Sequence, residues 1–206
     1  MLNKKASWAV VRRLPRYYRH LIELESAGQE KISSGSLARR LGLTASQVRQ
    51  DFNCFGGFGQ QGYGYNISEL RAGIASILKI DQSRTAVIIG AGNLGRALIK
   101  NFNFQKYGVS LLAAFDVDPA LIGREINGVP VMHIDDLPSF MEASSPHFGI
   151  LALPKEHVRQ VAQTLVDGGV RGIWNFTSLE LHMALQDIPV ENVHFSESLM
   201  VLSYQI

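Results

Sequence analysis

The run TAVIIGAGNLGRAL, residues 85–98, constrains the fold more than any other part of this 206-residue chain. A β-branched stretch ends in Gly90. Gly92 and Gly95 follow in G-x-G-x-x-G spacing and open a helix-like segment. In a strand–turn–helix unit the first glycine makes the tight turn and the second lets the backbone reach a pyrophosphate. The third allows close packing of helix on strand. The helix start, with Ala91, Asn93 and Leu94 around Gly92, then offers backbone N–H groups to an anion. A second strand, VSLLAAFD, ends in Asp116, 21 residues after Gly95 and just before Val117. A carboxylate there is placed to accept from the ribose hydroxyls of adenosine. It repels a 2′-phosphate, so NAD(H) is expected over NADP(H).

Strand-like runs recur at GVPVM, FGILALP and GIWNF, separated by the helical stretches DDLPSFMEAS and KEHVRQVAQTLVDGG. This alternation predicts a doubly wound parallel sheet of the Rossmann kind. Leu153 and Pro154 end the fourth strand and are expected beside the nicotinamide half of the crevice, as is Thr177 in the turn after GIWNF.

The front of the chain differs in charge. Residues 1–80 carry twelve Lys and Arg against five Asp and Glu, and residues 81–206 carry eight against thirteen. The split predicts two domains, the basic one facing a polyanion. In LPRYYRHLIELESAG, Pro15 sits in a first helical turn, Tyr17, Leu21 and Leu24 share a face, and Gly28 stops the helix. In SSGSLARRLGLTASQVRQDF, a serine near Ser34 caps a short helix that Gly42 ends. Thr44 with Gln47 has capping-box spacing for a second helix over 45–53. The pair reads as a helix-turn-helix whose second helix buries Val48 and Phe52. Ser46, Gln47, Arg49 and Gln50 are then free of the core, positioned to reach base edges in a major groove, with glutamine suited to a bidentate contact with adenine. Arg12 and Arg13 are expected at the DNA as well.

Residues 55–66, FGGFGQQGYGYN, hold five glycines and four aromatics. A flexible linker lacks rings, and a phosphate loop would need a G-x-x-x-x-G-K-[ST] pattern that is absent. A tight hairpin following the second helix, the wing of a winged helix, suits the composition, with Gly59, Gln60, Gln61, Gly62 and Tyr63 at its DNA-facing tip. ISELRAGIASILKI adds a helix, and DQSR hinges to the second domain near residue 82.

The lone Cys54 forms no internal disulfide, and the N-terminus lacks the apolar core of a secretory signal, so a cytoplasmic location is expected. His133, His147, His157, His182 and His194 have no carboxylate partners at suggestive spacing, and no cluster has metal-ligand spacing. A small NAD-dependent oxidoreductase with a basic arm stays open as an alternative, as does a DNA-binding protein whose Rossmann domain is only a dimerisation scaffold. A ligand-controlled DNA binder, not an enzyme, fits the absence of catalytic groups better.

LARRLGLTASQVRQDFNCFGGFGQQGYGYN, GAGNLGRAL, AAFDVDPALIG, GIWNF and VENVHFSESLMVLSY, in this order, resemble the Rex family of bacterial redox-sensing transcriptional repressors across nearly the whole chain. The resemblance implies a homodimer with a winged-helix domain over 1–82 and a Rossmann domain over 83–192. A C-terminal strand and exchanged helix would occupy 193–206, the helix spanning about 197–205. It also implies release from operator DNA by NADH, with NAD+ competing for the same site. The chain departs from the common pattern at Gln50, where many members have lysine, and at Gln61, where arginine is usual. Phe102 stands for a tyrosine. His194 replaces an aspartate that pairs with a helix-1 arginine, here Arg19, as part of the switch.

Overall fold

The structure is a computed structural model, and it describes residues 6–56, 58, 64–181 and 188–206. The chain divides into two compact units, Met1–Gln82 and Ser83–Ile206.

The first unit contains α1 (Trp8–Val11), α2 (Leu14–Ser26), β1 (Lys31–Ile32), α3 (Ser34–Leu41), α4 (Ala45–Asn53), β2 (Tyr65–Asn66) and α5 (Ile67–Leu78). Pro15 lies in the first turn of α2, where its missing N–H costs nothing. Tyr17, Leu21 and Leu24 form the buried face of α2 and meet Leu37, Val48, Phe52, Leu70 and Ile74 in one core. The Ser33 hydroxyl, a neighbour of Ser34, accepts from Ser36 N–H to cap α3. Gly42 ends that helix at φ 68°, a left-handed conformation that favours glycine. Thr44 Oγ1 accepts from Gln47 N–H at 3.1 Å and starts α4. The hairpin expected over 55–66 falls largely on residues outside those described. Tyr65–Asn66 pairs antiparallel with Lys31–Ile32, a two-residue strand too short to show a period-2 pattern. Gly57 and residues 59–63 lie outside the described residues.

The second unit holds β3 (Arg84–Ile89), α6 (Asn93–Asn101), β4 (Val109–Asp116), β5 (Glu125–Ile126), β6 (Val129–His133), α7 (Leu137–Ser144), β7 (Phe148–Leu151), α8 (Lys155–Asp167), β8 (Ile173–Asn175), β9 (Val190–Asn192) and α9 (Phe195–Gln205). Its sheet runs β5-β6-β4-β3-β7-β8-β9. Every neighbouring pair is parallel except β5 with β6. The parallel strands therefore follow the doubly wound order 3-2-1-4-5-6. One layer of core lies between the sheet and α7 and α8, around Val87, Phe115, Leu151 and Leu165. The other lies on the opposite face, around Ile88, Ile99, Ala114 and Ile150. Burial on both faces explains why β3 reads as an unbroken apolar run instead of alternating.

Helix α9 differs from the other helices of the unit. It begins two residues earlier than expected and buries none of its residues. Phe195, Leu199, Met200, Val201, Leu202 and Tyr204 are all exposed.

Candidate functional site

In an open α/β sheet ligands collect where neighbouring strands send their connections to opposite faces. Here that point lies between β3 and β7. A cavity of about 610 Å³ opens there, at the carboxyl ends of the strands. Gly90 and Gly92 follow β3, Asp116 ends β4 with Val117 just after it, and Leu153 and Pro154 follow β7; all six line the cavity.

The three glycines differ in what constrains them. A Cβ on Gly95 would collide with the carbonyl oxygen of Gly90, and one on Gly90, whose φ is 96°, with that of Ala152. These two glycines allow the chain to pack on itself. Gly92 meets nothing within 4 Å. No protein atom demands its smallness, so the open space beside it suits a ligand. Gly92 is also the N-cap of α6 and supplies no side-chain cap. The first N–H groups of α6 are thereby left for an anion.

Asp116 has a second task beyond the one expected. Its Oδ2 accepts from Ala91 N–H at 2.6 Å, and its Oδ1 accepts from the N–H groups of Val117 and Asp118 at 2.7 and 2.9 Å. The carboxylate ties the glycine turn to the end of β4. It has about four lone-pair sites, so capacity for a ribose hydroxyl remains.

Two residues expected at the nucleotide do not line this cavity. Phe102 is absent from the cavity wall and packs with Phe104, Tyr107 and Trp174. Thr177 is buried, and its hydroxyl donates to Asn175 Oδ1 at 2.8 Å. The turn after β8 folds inward around that amide instead of facing the cavity. Ala91, Asn93, Leu94 and Gly95 belong to the turn and helix start without lining the cavity wall.

The sequence reading missed the outer wall. Ile134, Leu137 and Pro138 contribute apolar surface from around the start of α7, and His157, Gln160 and Thr164 contribute polar groups from α8. With Val161, the last three fall at i, i+3, i+4 and i+7, one face of α8. His157, first read as a surface histidine, is exposed and also borders this cavity. His147 holds the opposite end of the sheet, its Nδ1 accepting from Thr85 N–H at 3.2 Å.

In the first unit α4 presents Ser46, Arg49 and Gln50, all exposed. Arg12 and Arg19 are exposed too. The guanidinium of Arg13 and the NH2 of Gln47 turn inward; Gln47, expected free of the core, is half-buried. Arg13 Nε and Nη2 donate to the two oxygens of Asp51 at 2.7 Å each. Gln47 Nε2 donates to Asp51 Oδ1 at 2.8 Å and Tyr17 Oη to Oδ2 at 2.7 Å. Asp51 is fully buried. Burial pushes its carboxyl up, but the bonds from Arg13, Tyr17 and Gln47 outweigh this and hold it below the usual range. Tyr17 is pushed up by burial and by its bond to Asp51. Gly59, Gln60, Gln61, Gly62, Tyr63 and His182 lie outside the described residues. His194 is half-buried at the start of α9. Among the described residues no group of three His, Cys, Asp or Glu is placed to hold a metal. No helix among them is long and apolar enough to cross a membrane.

The comparisons with known proteins divide along the same line as the two units. A family model described as "CoA binding domain" matches residues 81–179. One described as "Putative DNA-binding protein N-terminus" matches residues 5–53. The redox-sensing transcriptional repressor Rex of Clostridium botulinum (strain Alaska E43 / Type E3) is 48% identical over 204 residues, covering 99% of this chain and 97% of its own. Among solved structures, the Rex-family repressor RSP in complex with β-NAD+ and operator DNA matches with a TM-score of 0.91 and 44% identity, over 98% of this chain and 93% of that one. RSP in complex with β-NADH gives 0.90 and 41%, over 98% and 95%.

Proposed function

The chain belongs to the Rex family of redox-sensing transcriptional repressors, and from that premise we propose that it binds operator DNA as a cytoplasmic homodimer and is released by NADH. The family places it among repressors and not among oxidoreductases. The observation that carries the reading is the cavity at the β3–β7 crossover, open at Gly92 and backed by an uncapped helix start, in a chain whose other unit is a helix-turn-helix.

The N–H groups of α6 and the backbone at Gly92 would hold a pyrophosphate, and Asp116 a ribose. Asp116 selects against a 2′-phosphate. The dinucleotide supplies a nicotinamide ring that is cationic when oxidised and neutral when reduced. Leu153 and Pro154 offer that end an apolar lining, which disfavours an unpaired cation. The adenosine contacts are the same for both redox forms, so only the nicotinamide end can bias an equilibrium between two states of the dimer. The dimer form favoured by the reduced ring would hold its two α4 helices at a spacing that misfits the operator. A coupling of about 1–3 kcal/mol changes DNA affinity roughly 5- to 150-fold.

Gel shifts with a duplex selected from a random pool, titrated separately with NADH and NAD+, test this. NADH is expected to release the DNA at concentrations where NAD+ does not. A Cβ added at Gly92 meets no protein atom within 4 Å, and Gly92→Leu is expected to keep DNA binding while losing the NADH response. Release by NADH that persists in Gly92→Leu would refute the placement of the pyrophosphate.

A further inference from the structure

Asp51 is a buried carboxylate on the reading helix, and the proposed function gives it no task. It sits one turn after Gln47, and four donors saturate it: Arg13 Nε and Nη2, Tyr17 Oη and Gln47 Nε2, all at 2.7–2.8 Å. An ionised carboxylate only accepts hydrogen bonds, and the opposite charge of Arg13 keeps this one ionised. The amide of Gln47 is therefore oriented by chemistry. Its NH2 must face Asp51, because the reverse orientation would set the Gln47 carbonyl oxygen against a carboxylate oxygen. The oxygen Oε1 is left as the acceptor edge, the NH2 being taken by Asp51.

A glutamine with a free side-chain amide at the start of a reading helix is ambivalent. It can turn its NH2 to guanine O6 or thymine O4, or its oxygen to adenine N6 or cytosine N4. The lock removes the first option. We propose that Asp51, through Gln47, sets one position of the operator code: Gln47 Oε1 accepts from an exocyclic amine, so the base it meets is adenine or cytosine, and guanine and thymine are rejected. Gln47 is the reading residue and Asp51 its positioning residue. The inference rests on the operator-binding reading. It replaces the bidentate adenine contact expected from sequence with a requirement for the amine alone.

The test uses full-length protein and duplexes that the wild type selects from a random pool. A scan of single base-pair changes, run with wild type and with Gln47→Ala, identifies the pair whose preference disappears in the variant. At that pair the wild type is expected to demand adenine or cytosine. Removing the amine, with purine for adenine or 2-pyrimidinone for cytosine, should weaken wild-type binding roughly 5- to 10-fold and Gln47→Ala binding less than about 2-fold. Asp51→Asn frees the amide to turn over. It should relax discrimination at this pair alone and leave preferences at the other pairs in place, a pattern that general loosening of the domain would not give. If Asp51→Asn fails to fold, the amine-removal comparison decides. A guanine or thymine preference at the Gln47-dependent pair overturns the proposal. So does an amine effect equal in wild type and Gln47→Ala, or a scan in which Gln47→Ala alters no pair. A wild-type protein that selects no DNA refutes the operator reading itself, and this proposal falls with it.

Discussion

A carboxylate without solvent exposure survives only because its donors replace water, so Asp51 makes the first unit sensitive to a single atom group. Asp51→Ala leaves the guanidinium of Arg13 unpaired and the hydroxyl of the buried Tyr17 without its acceptor. The expected loss is about 3–5 kcal/mol, in the range for breaking a buried pair. Its pH dependence follows from the two shifts. The depressed folded pKa of Asp51 means that its contribution is present above the unfolded value of about 4 and is lost as pH falls through the lower folded one. The raised pKa of Tyr17 means that its contribution is present below about pH 10 and is lost as pH climbs toward the folded value. Urea unfolding of wild type and Asp51→Ala should thus differ by a constant amount between about pH 5 and 9. The gap should narrow at acid pH. A gap that widens in acid would contradict this account.

At the scale of elements, the second unit joins its last strands by side-chain amides. Asn175, buried at the end of β8, donates from Nδ2 to Leu179 O and Asn192 Oδ1, each at 2.7 Å, and its Oδ1 accepts from Thr177 N–H and Oγ1. Asn192, on β9, bonds both backbone groups of Leu181. Asn192→Ala removes one of the two acceptors of Asn175 and both side-chain partners of the Leu181 backbone. It should cost about 1–3 kcal/mol and speed amide hydrogen exchange at Leu181, while exchange in β3 stays slow; unchanged exchange at Leu181 would show that the amide pair does not hold the loop. This linkage also marks what the sequence conceals. Gly90 and Gly95 were legible because their backbone approaches exclude a side chain, and Thr44 because a cap must precede a helix by a fixed step. Asp51 was not legible: an aspartate beside Gln50 in a polar helix reads as a solvated charge, and only Arg13, 38 residues earlier, reveals its burial. The inward turn of Thr177 was hidden for the same reason, since the side chain that draws it in belongs to a strand end whose surroundings come from β9. The cavity floor followed from the doubly wound order, whereas its outer wall required knowing which face of α8 turns toward α7.

At the scale of the whole molecule the open question is what covers α9. A helix with Phe195, Leu199, Met200, Val201, Leu202 and Tyr204 exposed presents more contiguous apolar surface than an isolated chain in water usually leaves uncovered. The proposed homodimer, exchanging this helix, would bury it. Replacing Leu199 and Leu202 by Asp sets two charges on that face and removes no core side chain, because none of the residues of α9 is buried. The doubly substituted protein should sediment as a folded monomer. Its DNA binding should change in a way that mass alone does not report. Phosphate contacts release counterions, and the slope of log K against log salt is about −0.9 per neutralised phosphate. On the proposed function a dimer would engage both half-sites through two sets of exposed cations such as Arg12 and Arg49, and a monomer would engage one. The slope should therefore fall to about half, the affinity should drop by orders of magnitude, and NADH should no longer affect what binding remains. A variant that stays dimeric with an unchanged salt slope would place the subunit contact somewhere other than α9.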